Sequence, residues 1–375
     1  MDATVTRHVG SPPAGLASGA VVLVAHGGES VVHRAYGHAQ TQFDEQEQSL
    51  PRPMRVDTVF DLASVTKIVV TTTAIMRLVA EGELALDRRV AEYVDEFRDG
   101  DKAAVRLRDL LTHRAGLWEW WPLYIEASDR DAAVRAAAAL PLRYPVGEER
   151  HYSDLSMILA GAVVETVTAE RLDAYVQHAI FEPLGLRDTG FLPGPDVQVR
   201  CAATALGDAY EQHMLATGEP YPTGRHPTDF QGWRSHSLVG EVNDGNAHHA
   251  FGGVAGHAGL FSTVRDVARF GQMLLGRNPV SRAGPLPEEV VAEFTSPGVD
   301  EGQGLGFWTN RWAEAGLGPG GFGHGGFTGT QLLVDPDADI VVVLLTNRTH
   351  RPLPFPSIAP LWHEVLATTS AFLRD

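Results

Sequence analysis

The sequence has one cysteine, few lysines and no long uninterrupted run of apolar residues. Cys201 cannot form an internal disulfide, so the chain has no disulfide framework. Its neighbours are small and apolar, which predicts a buried side chain there and not a nucleophile. No stretch approaches the roughly 18 consecutive apolar residues of a membrane-spanning helix. We therefore expect no membrane partner.

Positive charge is also scarce, because 47 acidic residues face 30 basic ones and give a formal net charge of −17. Binding to nucleic acid or to an anionic membrane needs a basic surface, so we expect neither as a partner. The N-terminal residues lack the charged and apolar regions of a signal peptide. This predicts a cytoplasmic location, provided that no leader has been removed.

The apolar periodicity predicts an α+β fold. Strand-like stretches lie near both chain ends, at 19–25, 30–36, 304–312, 328–335 and 339–346. Helical spacing occurs at 64–81, 264–275, about 358–373 and over much of 86–190, and residues 191–250 are rich in loop-forming types. We expect one catalytic unit with an antiparallel sheet of five or more strands, flanked by helices. Its sheet part would comprise about 15–85 and 255–375, with a mainly helical, loop-rich subdomain over about 86–254.

The strongest local motif is F-D-L-A-S-V-T-K at 60–67. Ser64 and Lys67 stand at i and i+3, so on a helix they share a face and can hydrogen-bond. A serine hydroxyl needs a neighbouring base, and a desolvated neutral lysine can serve as one. The chain has only two lysines, Lys67 and Lys102, and arginine cannot supply such a base. From this motif alone, an ordinary helix start is an equally good interpretation.

Tyr152 and Asp154 lie two residues apart, just before a predicted helix. Tyr152 offers a phenol that can pass a proton to a leaving group. Asp154 can be the N-cap of the helix, which is a purely structural role. The spacing alone does not choose between these interpretations.

A third motif, G-F-G-H-G-G-F-T-G-T at 321–330, leads into a predicted strand. Gly325 and Gly326 would let a substrate approach the backbone closely. We expect the backbone N–H of Phe327 to be an oxyanion donor and His324 to face the cleft. A glycine-rich stretch before a strand is also often only a turn.

Taken in order, these motifs resemble S-x-x-K, Y-x-N and K-T-G, the signature of the β-lactamase and penicillin-binding-protein fold. The chain is similar to the branch with class C β-lactamases, D-alanyl-D-alanine carboxypeptidases, D-aminopeptidases and related esterases. Segments 106–117, 181–191 and 252–263 match that branch too, so the resemblance runs from about residue 15 to the C-terminus.

The resemblance implies a β-lactamase/DD-peptidase-like fold and a role for each matched residue. Ser64 matches the nucleophile, Lys67 its base partner and Tyr152 the second acid or base, while the Ser64 and Phe327 amides match the oxyanion hole. Asp154 stands where the family usually has asparagine, and His324 where β-lactamases have lysine. Both changes lower the positive potential, so we expect weaker recognition of an anionic β-lactam.

The remaining candidates concern the cleft wall and metals. Trp118, in W-E-W-W at 118–121, can form an aromatic wall for substrate, although core packing explains it equally well. His257 fits a structural role best, though it can reach the cleft. Adjacent His248 and His249 match no zinc motif, and we expect neither a metal nor an organic cofactor.

These features predict a serine hydrolase that forms a Ser64 acyl-enzyme with small-molecule esters or D-amino-acid amides and peptides. A true class C-type β-lactamase or D-alanyl-D-alanine carboxypeptidase is the alternative within enzymes. A non-catalytic relative that binds a peptidoglycan fragment or forms a scaffold is the alternative from another class. The oligomeric state is not predicted.

Overall fold

The sheet of the protein is built from both ends of the chain, as expected. The computed structural model describes residues 1–375 except 11–14, 42–50, 277–285, 299, 313–314, 316 and 374–375. Its strands are β1 (Gly19–His26), β2 (Glu29–Gln40), β3 (Arg52–Pro53), β4 (Phe60–Asp61), β5 (Gly190–Phe191), β6 (Ala203–Leu206), β7 (Ser237–Val239), β8 (Leu260–Ser262), β9 (Trp308–Thr309), β10 (Phe322–Gly325), β11 (Gln331–Asp335) and β12 (Ile340–Thr346). Seven of them form one antiparallel sheet in the order β3-β2-β1-β12-β11-β10-β9.

The α-helices lie mainly in the middle of the chain and at its two ends. They are α1 (Asp2–Thr6), α2 (Thr73–Ala80), α3 (Leu107–Leu111), α4 (Leu123–Glu126), α5 (Arg130–Ala139), α6 (Asp154–Thr168), α7 (Leu172–Val176), α8 (Glu182–Leu184), α9 (Pro195–Gln198), α10 (Ala209–Thr217), α11 (Val264–Leu275), α12 (Glu288–Thr295) and α13 (Ala359–Phe372). Short 3₁₀ and π-helical turns precede α2 and make one continuous helix from Ala63 to Ala80, which we call the Ser64 helix.

Successive side chains of a strand point to opposite faces of its sheet. Because those of β1 and β12 are apolar on both faces, both faces of the sheet are buried. On β1, Val21 and Leu23 belong to the large core, whereas Val22 and Val24 pack with α1 and α13 on the opposite face. The β1–β2 hairpin turns at Gly27 and Gly28, whose φ values of +58° and +85° suit a tight hairpin turn. The antiparallel sheet with helices on both faces is therefore confirmed.

Two predicted segments differ in detail. The stretch 304–312 is a strand only at Trp308–Thr309, because Gly306 adopts φ +82° and turns the chain. The loop-rich stretch 191–250 contains the β6–β7 pair and α10. Side chains from 86–254 and from the sheet share one large buried cluster, and the division into two subdomains stays a prediction.

One helix among the described residues, Ala63–Ala80, is apolar and long enough to cross a membrane by length and composition, and 78% of it is buried inside the protein. The core helices of globular proteins commonly satisfy the same criterion. The helix lies between α6, α12 and the loop before β8, so it positions Ser64 from inside the core.

The loop before β8 contacts α6 so closely that Gly256 has no room for a side chain. A Cβ there would lie 2.3 Å from the carbonyl oxygen of Met157. Gly256→Ala should therefore lower the free energy of unfolding by about 1–3 kcal/mol, because overpacking shifts the backbone. Thermal and urea denaturation measure this effect. Gly190→Ala, which meets nothing within 4 Å, is the control, and equal stability of the two variants would contradict the tight contact.

Candidate active site

Ser64 sits at a sharp turn from β4 into its helix. Ala63 has φ +46°, a left-handed conformation that is uncommon for a residue with a side chain. The carboxylate of Asp61 holds it by accepting the Ala63 N–H at 2.8 Å, and the Thr330 hydroxyl donates to the Leu62 carbonyl at 2.9 Å. These contacts direct Ser64 into a cleft of about 180 Å³.

Lys67 is 1% exposed and lies directly beneath Ser64. Its Nζ donates to Ser64 Oγ at 2.8 Å and to the His257 carbonyl at 3.1 Å, and it lies 2.7 Å from Asp154 Oδ1. The sequence therefore predicted the Ser64–Lys67 contact correctly. All of these groups stabilise an ammonium ion.

The surroundings of Lys67 favour its charged form in the resting protein, whereas a neutral lysine is the form that could serve as a base. Burial opposes the charge, but the Asp154 carboxylate and the Tyr152 hydroxyl outweigh it, so the pKa of Lys67 is raised above its ordinary value. The cause is Asp154, which stands at the position of a neutral asparagine in the resembled signature. Lys67 has to give up a proton before it can accept one.

Tyr152 completes the group around Ser64. Its hydroxyl hydrogen-bonds with the Ser64 and Lys67 side chains, and Lys67 Nζ lies 5.0 Å from its ring centroid. Burial raises its pKa, against the opposing effect of the Lys67 charge. The phenol therefore keeps its proton near neutral pH.

Asp154 has a different structural role from the one expected. Ser153 is the N-cap of α6, since its side chain accepts the Ser156 N–H at 3.0 Å. Asp154 is the first helical residue, and its carboxylate turns toward Lys67. It lines the cleft beside Ser64.

His324 does not face the cleft, contrary to expectation. It is completely buried, donates through Nδ1–H to the Gly325 carbonyl at 2.7 Å, and stacks on Trp308 with a centroid separation of 4.4 Å. Burial and the nearby Lys67 charge lower its pKa well below the ordinary value. The ring is therefore neutral and supplies packing beneath Tyr152, whose centroid lies 6.0 Å away.

The glycines after His324 bring the backbone close to Ser64. A Cβ on Gly326 would lie 2.4 Å from the Leu62 carbonyl and 3.2 Å from the Ala63 Cβ. Phe327 follows and lines the cleft with Ser64. Its N–H donates to no acceptor among the described residues, which leaves it available to an oxyanion. Gly325 lies in β10 and packs against the Gln331 side chain, outside the cleft lining.

Trp120, and not Trp118, forms the aromatic wall. Trp118 packs edge-on against Trp121 at 4.9 Å and donates to the Pro141 carbonyl. Trp120 lines the cleft and stacks with Tyr221 at 6.1 Å. The W-E-W-W motif predicted an aromatic wall, but neither helical nor strand periodicity predicts which of its tryptophans lines the cleft.

His257, Asp244 and Asp154 form the described cluster most like a metal site, with ligand atoms within 4.8 Å of one another. Two of these groups already have partners. His257 Nε2 contacts Asp244 Oδ1 at 3.0 Å, and Lys67 neutralises Asp154. The Lys67 ammonium therefore already occupies the position of a cation beside this cluster.

A larger groove of about 500 Å³ lies between the β1–β2 hairpin and α11. Its lining includes Arg187, Arg265 and Arg269. Ser30 and His33 line it too, but they hydrogen-bond with the Val32 and Val56 carbonyls, and no bond between the two side chains occurs in the described part of the chain. The smaller cleft is the candidate site, because a nucleophile, a proton acceptor and a backbone N–H without an acceptor among the described residues converge there.

His113 and Asp61 are among the site residues that sequence reasoning missed. His113 is buried, packs on the Tyr152 ring at 4.6 Å and accepts the Ser153 N–H; burial lowers its pKa to about 3. Asp61 is buried and shapes the Ser64 turn. Asp61 lies within the F-D-L-A-S-V-T-K motif and His113 within segment 106–117, so those two matches to the resembled branch were the available signal.

Comparison with known proteins gives a single answer for the family. The family model described as Beta-lactamase matches residues 3–367. N-acetylmuramyl-L-alanine amidase of Bacillus subtilis is 31% identical over 91% of this chain and 80% of its own length. A protein of Salmonella agona, provisionally named D-alanyl-D-alanine carboxypeptidase, is 30% identical over 90% of this chain and 81% of its own.

Solved structures agree on the fold. EstCE1, described as a hydrolase with promiscuous acyltransferase activity, superposes with a TM-score of 0.69 at 23% identity, covering 94% of this chain and 93% of its own. At that identity the likeness concerns the fold and not the substrate.

Asp154→Asn tests the unusual ion pair. If Lys67 passes its proton to Asp154 in the wild type, that internal transfer leaves the number of bound protons unchanged. Activity should then vary little with pH between the ordinary carboxyl and amine pKa values, about 4 and about 10. Without the carboxylate, the pKa of Lys67 falls and its proton must go to solvent. A rising limb should appear, with kcat/KM for p-nitrophenyl butyrate increasing about tenfold per pH unit below that pKa.

The surface variant Asp196→Asn is the matched control and should keep the wild-type profile. Identical pH profiles for Asp154→Asn and the wild type would contradict the exchange between Lys67 and Asp154.

Proposed function

The chain belongs to the beta-lactamase family of serine hydrolases, and on that premise we propose that it hydrolyses small esters or amino-acid amides and peptides through a Ser64 acyl-enzyme. The observation that carries the proposal is the 2.8 Å hydrogen bond from Lys67 Nζ to Ser64 Oγ at the edge of the cleft. Such a pair is a nucleophile with its activating group in place.

The proton of Ser64 travels along the buried pair. Lys67 gives a proton to Asp154 across 2.7 Å and its freed lone pair takes the proton of Ser64. Burial disfavours the charged form of Lys67, which lowers the free-energy cost of this exchange relative to the same exchange in water. The Ser64 oxygen then attacks the substrate carbonyl carbon and forms the new C–O bond.

The tetrahedral oxyanion is stabilised by the backbone N–H groups of Ser64 and Phe327. As the bond to the leaving group breaks, the leaving group takes the proton of the Tyr152 hydroxyl. Lys67 restores that proton and regains its own from Asp154. Water then attacks the acyl-enzyme by the reverse proton path and regenerates Ser64.

The charge of the cleft supports neutral or cationic substrates over anionic β-lactams. Four carboxylates line it, from Asp154, Asp208, Glu211 and Asp244, and no arginine or lysine does among the described lining residues. Where the family signature has a lysine, His324 is neutral and buried. A substrate carboxylate therefore meets no cationic anchor from that position.

Parallel assays test the proposal with p-nitrophenyl butyrate, D-alanine p-nitroanilide and nitrocefin. Ester or anilide hydrolysis should exceed nitrocefin hydrolysis by about 100-fold or more, and Ser64→Ala should remove it, because its loss leaves no group to form the acyl-enzyme. Circular dichroism checks that the variant is folded. Fast nitrocefin hydrolysis would make the protein a β-lactamase, and turnover that survives in Ser64→Ala would contradict the proposed nucleophile.

A further inference from the structure

Three of the four cleft carboxylates have a cationic or histidine partner within the protein. Asp154 lies 2.7 Å from Lys67, and Asp244 lies 3.0 Å from His257. Asp208 pairs with Arg234 and with His249. Glu211, in α10, makes no ion pair among the described residues.

Glu211 is nevertheless almost completely buried, with 8% of its surface exposed. Its Oε1 accepts the Gly245 N–H at 2.6 Å, whereas its Oε2 is buried without a hydrogen-bond partner in the described part of the chain. Glu211 lines the cleft with Ser64, and Gly245 directly follows Asp244, which also lines it. Glu211 therefore places a buried carboxyl group, without a cationic partner among the described residues, in the wall of the cleft.

An unpaired buried carboxylate is energetically unfavourable unless a ligand compensates it. Burial, reinforced by the negative charge of Asp244, raises the pKa of Glu211. The Tyr124 hydroxyl lies close enough to interact with the carboxylate. A bound cation would remove this penalty and favour the ionised form.

Aromatic rings near Glu211 narrow the chemistry of that cation. Tyr210, Tyr221 and Trp120 line the same cleft, and ring faces attract organic ammonium groups. Glu211 does not belong to the cluster whose oxygen and nitrogen atoms converge as metal ligands do. The surroundings favour an amine carried by a small organic molecule over a bare metal ion.

We propose that Glu211 binds the free ammonium group of the substrate, so that the enzyme selects substrates with a primary amine on the acyl part beside the scissile carbonyl. This inference rests on the proposed Ser64 hydrolase and adds its substrate class. The cleft has a volume of about 180 Å³. One water molecule takes up roughly 30 Å³, so the cleft has room for an acyl part about the size of one small amino acid.

The kinetic test compares D-alanine p-nitroanilide with N-acetyl-D-alanine p-nitroanilide. The wild type should prefer the free amine, and Glu211→Gln should reduce the ratio of the two kcat/KM values by about 10- to 100-fold, as expected for a lost hydrogen bond between charged groups. Glu83→Gln, an exposed glutamate elsewhere, should keep the wild-type ratio. A ratio unchanged in Glu211→Gln, or a wild type that does not prefer the free amine, would overturn the inference.

A binding test keeps the inference separate from turnover. Calorimetry with alaninamide should show binding to Ser64→Ala and at least tenfold weaker binding to Ser64→Ala/Glu211→Gln, with N-acetylalaninamide bound poorly by both. Equal or absent alaninamide binding in the two proteins would overturn the ammonium site. Failure of the wild type to hydrolyse both D-alanine p-nitroanilide and p-nitrophenyl butyrate would instead count against the proposed hydrolase, and the binding result would still decide the role of Glu211. Thermal melting of each variant excludes misfolding as the cause.

Discussion

The buried ammonium group of Lys67 is the interaction on which the rest of the site depends. It connects the Ser64 helix to the loop before β8 through the His257 carbonyl and to the start of α6 through Asp154. These segments come from distant parts of the chain, so the contact can form only in the folded protein. Removing one partner of a buried pair leaves an uncompensated charge, which couples the integrity of the fold to the chemistry of Ser64.

Asp154 alters that interaction relative to the family signature. A carboxylate in place of an amide holds Lys67 charged in the resting protein and also provides a place for its proton. The substitution at His324 acts in the same direction, since a neutral buried ring takes the place of a second cation. Together with Asp208, Glu211 and Asp244 in the lining, they leave the cleft acidic, and the proposed preference for neutral or cationic substrates rests on this charge distribution.

Sequence reasoning identified the sheet, the Ser64 helix and the group of Ser64, Lys67 and Tyr152, because each leaves a local period or an ordered motif. Sequence reasoning failed where the outcome depended on the direction in which a side chain points. The burial of His324 depends on its stacking against Trp308, and the choice of Trp120 over Trp118 depends on packing with Tyr221. Glu211 carries no motif at all, and only the fold brings it to the cleft. The charge state of Lys67 likewise follows from a contact across 87 residues with Asp154.

The central claim is that Ser64 is the one activated nucleophile, and a fluorophosphonate probe tests it most directly. After incubation, the intact mass should increase by one probe group, and peptide mapping should place it on Ser64 in the wild type and nowhere in Ser64→Ala. A wild-type protein that remains unlabelled while it hydrolyses substrate, or one labelled at another residue, would contradict the account.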